Sequence, residues 1–280
     1  MKAIFIFLML ASAHLPSAFA ESEDGVVRYD VTEKLDQAHL DQYIFSLAPD
    51  YGHYTYVASN GINTGNSESL GLALEYGLTK NYSIELRDSY GTASFSSGNQ
   101  TATGFSDFHV AIKSMFDLNK SSELFALVDF GISLVHQSES NRYSGGNSYL
   151  AQIAYQHRLD SKSLIAVGLS ESFLAPITSD VGTSSITQSS GKFVTSIFAT
   201  YEKSFAYQKW GAVFDIDHGA TGADLSTVIN ISAYVVFEIE KDLSLRPEIR
   251  YSGVSDALFK NKAYKQDEQA DALMTARLAF

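Results

Sequence analysis

Residues 243–252 read Leu243-Ser244-Leu245-Arg246-Pro247-Glu248-Ile249-Arg250-Tyr251-Ser252. Successive side chains of a strand point to opposite faces. One face of this segment therefore carries Leu243, Leu245, Pro247, Ile249 and Tyr251, and the other carries Ser244, Arg246, Glu248, Arg250 and Ser252. A helix would scatter these two sets around its axis. A sheet with one face on protein core also alternates, but its outer face is polar and its strands are shorter than ten residues. The alternative is a strand that crosses a bilayer, apolar toward lipid and polar toward a lumen, over about 9–11 residues. There the register is strongly specified. A one-residue slip would turn Arg246, Glu248 and Arg250 toward lipid, at a cost of roughly 2–4 kcal/mol for each arginine at mid-depth.

The same alternation recurs along the chain. Leu70, Leu72, Leu74 and Tyr76 oppose Gly71, Ala73 and Glu75, and Tyr82, Ile84 and Leu86 oppose Ser83, Glu85 and Arg87. Leu124, Ala126, Val128, Phe130, Ile132 and Leu134 form one apolar face. Trp210, Ala212, Phe214 and Ile216 oppose Gly211, Val213, Asp215 and Asp217. Ile229, Ile231, Ala233, Val235, Phe237 and Ile239 oppose Asn230, Ser232, Tyr234 and Glu238. Met274, Ala276, Leu278 and Phe280 oppose Asp271, Thr275 and Arg277.

Short turns at 77–81, 117–122, 159–163, 204–207 and 240–243 alternate with longer polar loops at 59–67, 96–103, 138–147, 176–190, 218–225 and 255–269. Short periplasmic turns and long outer loops are the habit of outer-membrane barrels. Counted from a first strand near Tyr51–Ser59, the pattern predicts an all-β fold, a transmembrane antiparallel β-barrel of about 12 strands, with both termini on the periplasmic side.

The ends of the chain agree with export. Lys2, the apolar run Ala3–Leu10 and Ala18-Phe19-Ala20 have the form of a signal peptide over residues 1–20. Its removal takes Lys2 and moves the formal net charge from −12 to −13, which excludes nucleic acid as a partner. Cysteine is absent, so no disulfide framework staples the fold. No later run of about 18 apolar residues marks a membrane helix. Residues 21–49 are acidic early on and lack alternation; they are expected to form a periplasmic extension or a plug, ahead of a barrel over 50–280. The final Leu278 and Phe280 resemble the C-terminal signal that bacterial barrel-assembly machinery recognises. That ending, with the signal peptide, points to the outer membrane of a Gram-negative bacterium and to outer-membrane lipids as surroundings.

The polar parity names the candidate pore-lining residues: Glu75, Glu85, Arg87, Asp107, Lys113, Asp129, Asp215, Arg246, Glu248, Arg250 and Arg277. Glu171, Glu202, Asp217, Glu238, Asp271, Arg158 and Lys192 fall in the same set. Charges of both signs either pair across a narrow interior and fill it, or line an open channel whose acidic excess favours cations and neutral solutes. Asp107 and Lys113 are six apart, hence on one strand face.

Tyr76–Leu86 (YGLTKNYSIEL), then Gly104–Lys113 (GFSDFHVAIK) and Ser144–Leu159, resemble the outer-membrane family labelled meta-pathway of phenol degradation, over roughly residues 68–175. The resemblance implies a barrel that passes small molecules, often hydrophobic or aromatic, across the outer membrane; the family's name does not imply enzymatic breakdown of phenol, and no cofactor is expected. A second, weaker resemblance is to outer-membrane phospholipase A, also a twelve-stranded barrel. It rests on His136 and Ser138, two apart and on one strand face, with Asn147 as the third group. It implies lipid hydrolysis supported by calcium. The plainer reading makes His136 an interfacial polar residue and Ser138 the start of a loop. A structural barrel without transport is the remaining alternative. The other histidines show no metal-ligand spacing.

Overall fold

The computed structural model describes residues 35–58, 61–95, 100–105, 108–132, 147–175, 177–181, 184–188, 192–205, 208–221, 224–240, 242–254 and 268–280. The expected signal peptide, most of the 21–49 segment, Asp107, His136 and Ser138 lie outside the described residues.

The described chain is almost entirely strand. The first wall comprises β1 (Tyr43–Ala58), β2 (Gly61–Gly77), β3 (Tyr82–Phe95), β4 (Gln100–Phe105), β5 (Phe108–Asn119), β6 (Ser122–Ile132), β7 (Ser148–Arg158) and β8 (Ser163–Leu174). A small hairpin, β9 (Ile177–Val181) and β10 (Ser184–Gln188), stands apart from the main sheet. The second wall comprises β11 (Lys192–Ser204), β12 (Gln208–Thr221), β13 (Asp224–Glu240), β14 (Leu243–Val254) and β15 (Glu268–Ala279). All pairings are antiparallel, and β1 pairs with both β2 and β15, so the sheet closes on itself. β4 pairs with the outer half of β3 and β5 with its inner half, in registers that differ by one residue. They act as two pieces of one crossing strand. Twelve strands therefore build a closed barrel.

Closure is made by the residues whose presence at the chain's end is otherwise hard to explain. The Tyr43 N–H donates to the Phe280 carbonyl at 2.8 Å, and the Phe280 N–H donates to the Tyr43 carbonyl at 2.9 Å. The Phe280 ring stacks on Tyr43, which in turn meets Tyr76. With Tyr82 against Phe116, these rings form an aromatic cluster at the short-turn end. Tyr90 with Phe105, and Tyr149, Phe173 and Phe193 in contact, form a second cluster toward the long-loop end. Between them the outward face is apolar and open, with Leu70, Leu72, Leu74, Val167, Leu169, Ile197, Phe214, Ile231 and Ile249 all exposed. Ile249, from the opening stretch, is 70 % exposed. Only lipid makes such a surface favourable, because in water this much contiguous apolar area would drive association.

Three expectations shift. The first strand begins at Tyr43 rather than near Tyr51, because Tyr43, Phe45 and Pro49 already face outward while Ile44 is buried; Pro49 and the flanking acids Asp41 and Asp50 disguise this in the sequence. The loops expected at 59–67 and 218–225 are mostly ladder, since β1 and β2 pair out to Ala58↔Gly61 and β12 and β13 to Thr221↔Asp224. Glu171, expected inside, shares the outer parity of Val167, Leu169 and Phe173, while Leu164, Ala166 and Ser170 are buried inside. This strand is apolar on both faces near its start, so alternation alone does not orient it.

Candidate functional site

The lumen is organised by two features, a chain segment that enters it and a ladder of inward charges.

Residues 35–42 precede β1 and fold into the short-turn end of the barrel. Leu35 is fully buried among Met115, Phe125, Ala154, Ala166 and Phe198, all inward residues of β5, β6, β7, β8 and β11. Those strands carry apolar groups on their inner face at this level because they pack on Leu35 rather than on water. Next along the chain, Asp36 pairs with Arg277 of β15. Two consecutive residues thus reach from one wall to another. The Ala38 N–H donates to Glu75 at 2.8 Å. Asp41 adopts a left-handed conformation (φ 59°), which aspartate tolerates better than most residues, and its N–H donates to the Gly77 carbonyl. Gly77 is needed here, because a Cβ at that position would run into the His39 carbonyl. The segment's tail is thus fixed to the barrel by backbone bonds, an ion pair and an apolar anchor.

The inner face of β2, β3, β5 and β6 forms a paired network. Lys113 Nζ lies 2.7 Å from Glu75 and 2.6 Å from Glu85. Glu75 also accepts the Ser83 hydroxyl at 2.5 Å. Arg87 pairs with Asp129 and lies 3.5 Å from Glu85. His109 Nδ1 sits 3.1 Å from Asp129. The five residues Glu75, Glu85, Arg87, Lys113 and Asp129, all expected to line the interior, come together as one cluster. Lys113 takes its partners from Glu75 and Glu85. Buried charges of this kind are tolerable because each has a counter-charge and hydrogen bonds within reach.

The opposite wall differs. Between β12, β13, β14 and β15 lies a cavity of about 490 Å³, lined among others by Asp215, Asp217, Arg246, Glu248, Arg250 and Asp271. Glu248 is shared by Arg246 at 3.5 Å and Arg250 at 3.2 Å. Asp217 accepts from Ser196 and from Asn230, the latter at 2.8 Å. Asp271 accepts from Gln269 at 2.8 Å. The Arg246 guanidinium stacks over the Tyr234 ring at 5.6 Å, and the Tyr234 hydroxyl donates to buried Glu202 at 2.8 Å. Asp215, Arg246, Glu248 and Arg250 thus stand where the alternation put them, while Arg277 serves the entering segment instead.

Sequence reading missed several contributors. His109 completes the Asp129 site, Lys209 approaches Glu202 at 4.0 Å, and Leu35 and Asp36 carry the entering segment. Lys209 shares the parity of Gly211 and Val213 and was legible; a single leucine and aspartate in an irregular lead were not. Of the hydrolase residues only Asn147 is described; it is exposed just before β7, and its carbonyl accepts the Ala175 N–H.

No family model matches the sequence, and no curated protein matches it. Solved structures do. The COG4313 outer membrane channel from Pseudomonas putida F1 superposes with a TM-score of 0.69 at 12 % identity, covering 89 % of this chain and 99 % of that one. The translocator domain of the autotransporter NalP from Neisseria meningitidis gives 0.57 at 13 % identity, covering 89 % and 92 %. The beta domain of the Bordetella autotransporter BrkA gives 0.55 at 8 % identity, covering 85 % and 99 %. These likenesses establish the fold as that of an outer-membrane β-barrel.

Proposed function

We propose that this chain is a channel of the Gram-negative outer membrane for passive passage of small molecules, working without a cofactor. The observation that carries the reading is the 490 Å³ polar cavity inside a closed barrel whose outer surface is apolar. A barrel serving only as a structural element gains nothing from inward carboxylates and guanidiniums around a cavity, since burying such groups is costly unless they serve a wet path. The segment at 35–39 narrows the periplasmic end, so the channel is partly plugged. Leu278 and Phe280 are exposed at the closing seam, where the assembly machinery would read them. The sequence resemblance to the phenol meta-pathway family and the likeness to a COG4313 channel support the same reading. The resemblance points to aromatic compounds as one class of solute, and the charged lining of the cavity favours small polar solutes over them.

The test is planar-bilayer conductance of the refolded mature chain beside a form that starts at Leu40. Removing the anchor at Leu35 and Asp36 is expected to raise single-channel conductance several-fold. A wild-type chain and a shortened chain that are both silent, although folded, would refute the channel.

A further inference from the structure

The two arginines at the cavity share one carboxylate, Glu248. The cavity lining nevertheless holds four carboxylates, Asp215, Asp217, Glu248 and Asp271, against those two guanidiniums, a formal excess of two negative charges. Asp217 and Asp271 accept hydrogen bonds from neutral donors, Ser196, Asn230 and Gln269. Such donors bring no positive charge against the carboxylates they bond. Asp50 of β1 lies close by. It sits one inward position below Gly52, the ladder partner of Asp271, and Gly52 leaves room there, since a Cβ would meet the Asp271 carboxylate.

The charges are also ordered along the wall. Going inward from the long-loop end, the ladder rows carry Asp217, then Asp215 with Asn230 and Ser252, then Arg250 with Asp271, then Glu248 with Tyr234. Inward side chains repeat every second residue, about 6.8 Å apart. Among the described residues of this wall, a solute moving in from the long-loop end meets two aspartate rows before a guanidinium. Field lines focus in a low-dielectric barrel, so this order repels anions at the entrance and concentrates cations there.

We infer that this cavity is the solute-selecting section of the channel, and that its solutes are small polar molecules bearing an ammonium or guanidinium group. The cationic end sits between Asp215, Asp217 and Asp271. A second polar or anionic end, where the solute has one, reaches Arg250, the more accessible arginine. Val213 is the one aliphatic side chain among the lining residues, and the Tyr234 ring is faced by Arg246, which leaves little for a hydrocarbon to rest on. This inference rests on the channel reading and makes it specific.

Reversal potentials of the full mature protein under a potassium chloride gradient test it, together with current block by arginine, putrescine, glutamate and benzoate. A several-fold cation preference is expected, with block by arginine and putrescine at concentrations at least tenfold below those of glutamate and benzoate. The double variant Asp215→Asn, Asp271→Asn should lose most of both effects. If it fails to fold, Asp217→Asn at the entrance should show a smaller loss of the same kind. Conductance without cation preference, or block by glutamate or benzoate as strong as by arginine, overturns the solute class and leaves the channel standing. Absence of conductance overturns both.

Discussion

The wall of β2, β3, β5 and β6 and the wall of β12 to β15 present the same kinds of residue to the lumen, yet they use them differently. On the first, Lys113 is held between Glu75 and Glu85, and Arg87 on Asp129, with the Ala38 amide of the entering segment completing the set. On the second, Glu248 serves two arginines, and Asp217 and Asp271 accept from neutral side-chain amides and a hydroxyl beside the cavity. The difference teaches that inward parity makes a residue part of the interior, while its cross-strand neighbours decide whether it holds the barrel together or faces the cavity.

The largest test of that contrast removes one cation from each wall. Lys113→Met would leave two carboxylates in the interior without their shared counter-charge, the situation in which breaking a buried pair costs roughly 3–5 kcal/mol. Arg250→Met removes a cation whose side chain is 44 % exposed, so its loss should cost under about 1 kcal/mol while changing ion selectivity. Urea unfolding in lipid vesicles measures both. Equal losses would mean that the two walls are not functionally distinct.

Next in size is the contrast between faces of one strand. Ile231 and Ser232 are neighbours on β13, one exposed to lipid and one lining the cavity. Ile231→Arg should destabilise the barrel by roughly 2–4 kcal/mol. Ser232→Arg places the same side chain beside Asp271 and Arg250 in a polar lumen, and should alter conductance more than stability. If Ser232→Arg unfolds the protein as readily as Ile231→Arg, the assignment of lipid and lumen faces fails.

A smaller effect is expected where packing alone is changed. A Cβ on Gly168 would enter the ring of Phe198, itself part of the cluster around Leu35. Gly168→Ala should therefore cost about 1–3 kcal/mol by overpacking, and a Phe198→Leu partner should recover part of it. At Gly71, away from the entering segment, an added Cβ finds ordinary contact distances to Ala48. Gly71→Ala should be neutral or slightly stabilising. Thermal mobility shifts on gels read the pair, and a neutral Gly168→Ala would show that the Leu35 cluster is loosely packed.

Much of this was legible in the sequence because a bilayer enforces a period of two. Residues 243–252 alone give face, register and environment, and Arg246, Glu248 and Arg250 line the cavity. What resisted reading was whatever packs on something other than lipid or water. Phe198, Met115 and Phe125 are inward yet apolar because they meet Leu35, so they blur alternation where the segment enters. The start of β1 hid behind Pro49 and two aspartates for a related reason: its inward residues answer to Glu75 and Arg277 neighbours that are far off in the chain. Pairing partners such as Glu75 with Lys113, 38 residues apart, follow from ladder register and not from local spacing.

The smallest effect should come from a carboxylate that belongs to neither wall. Asp160 lies in the turn between β7 and β8 and accepts the Lys162 N–H at 2.7 Å. That backbone bond, above all other influences, holds its carboxyl below the usual range. A depressed carboxyl stabilises the fold above its unfolded value, near 3.9, and the contribution disappears as pH falls through the folded value. The group is fully exposed, so solvent screens it and little stability rides on it. Asp160→Asn keeps an acceptor oxygen for the same amide and removes only the titration. Conductance and ion preference should therefore be unchanged from pH 5 to 8, and the carboxyl resonance in wild-type spectra should titrate at a lower pH than in an unfolded peptide. A change in selectivity in this variant would mean that charge at the short-turn rim, and not the β12–β15 cavity, sets which ions pass.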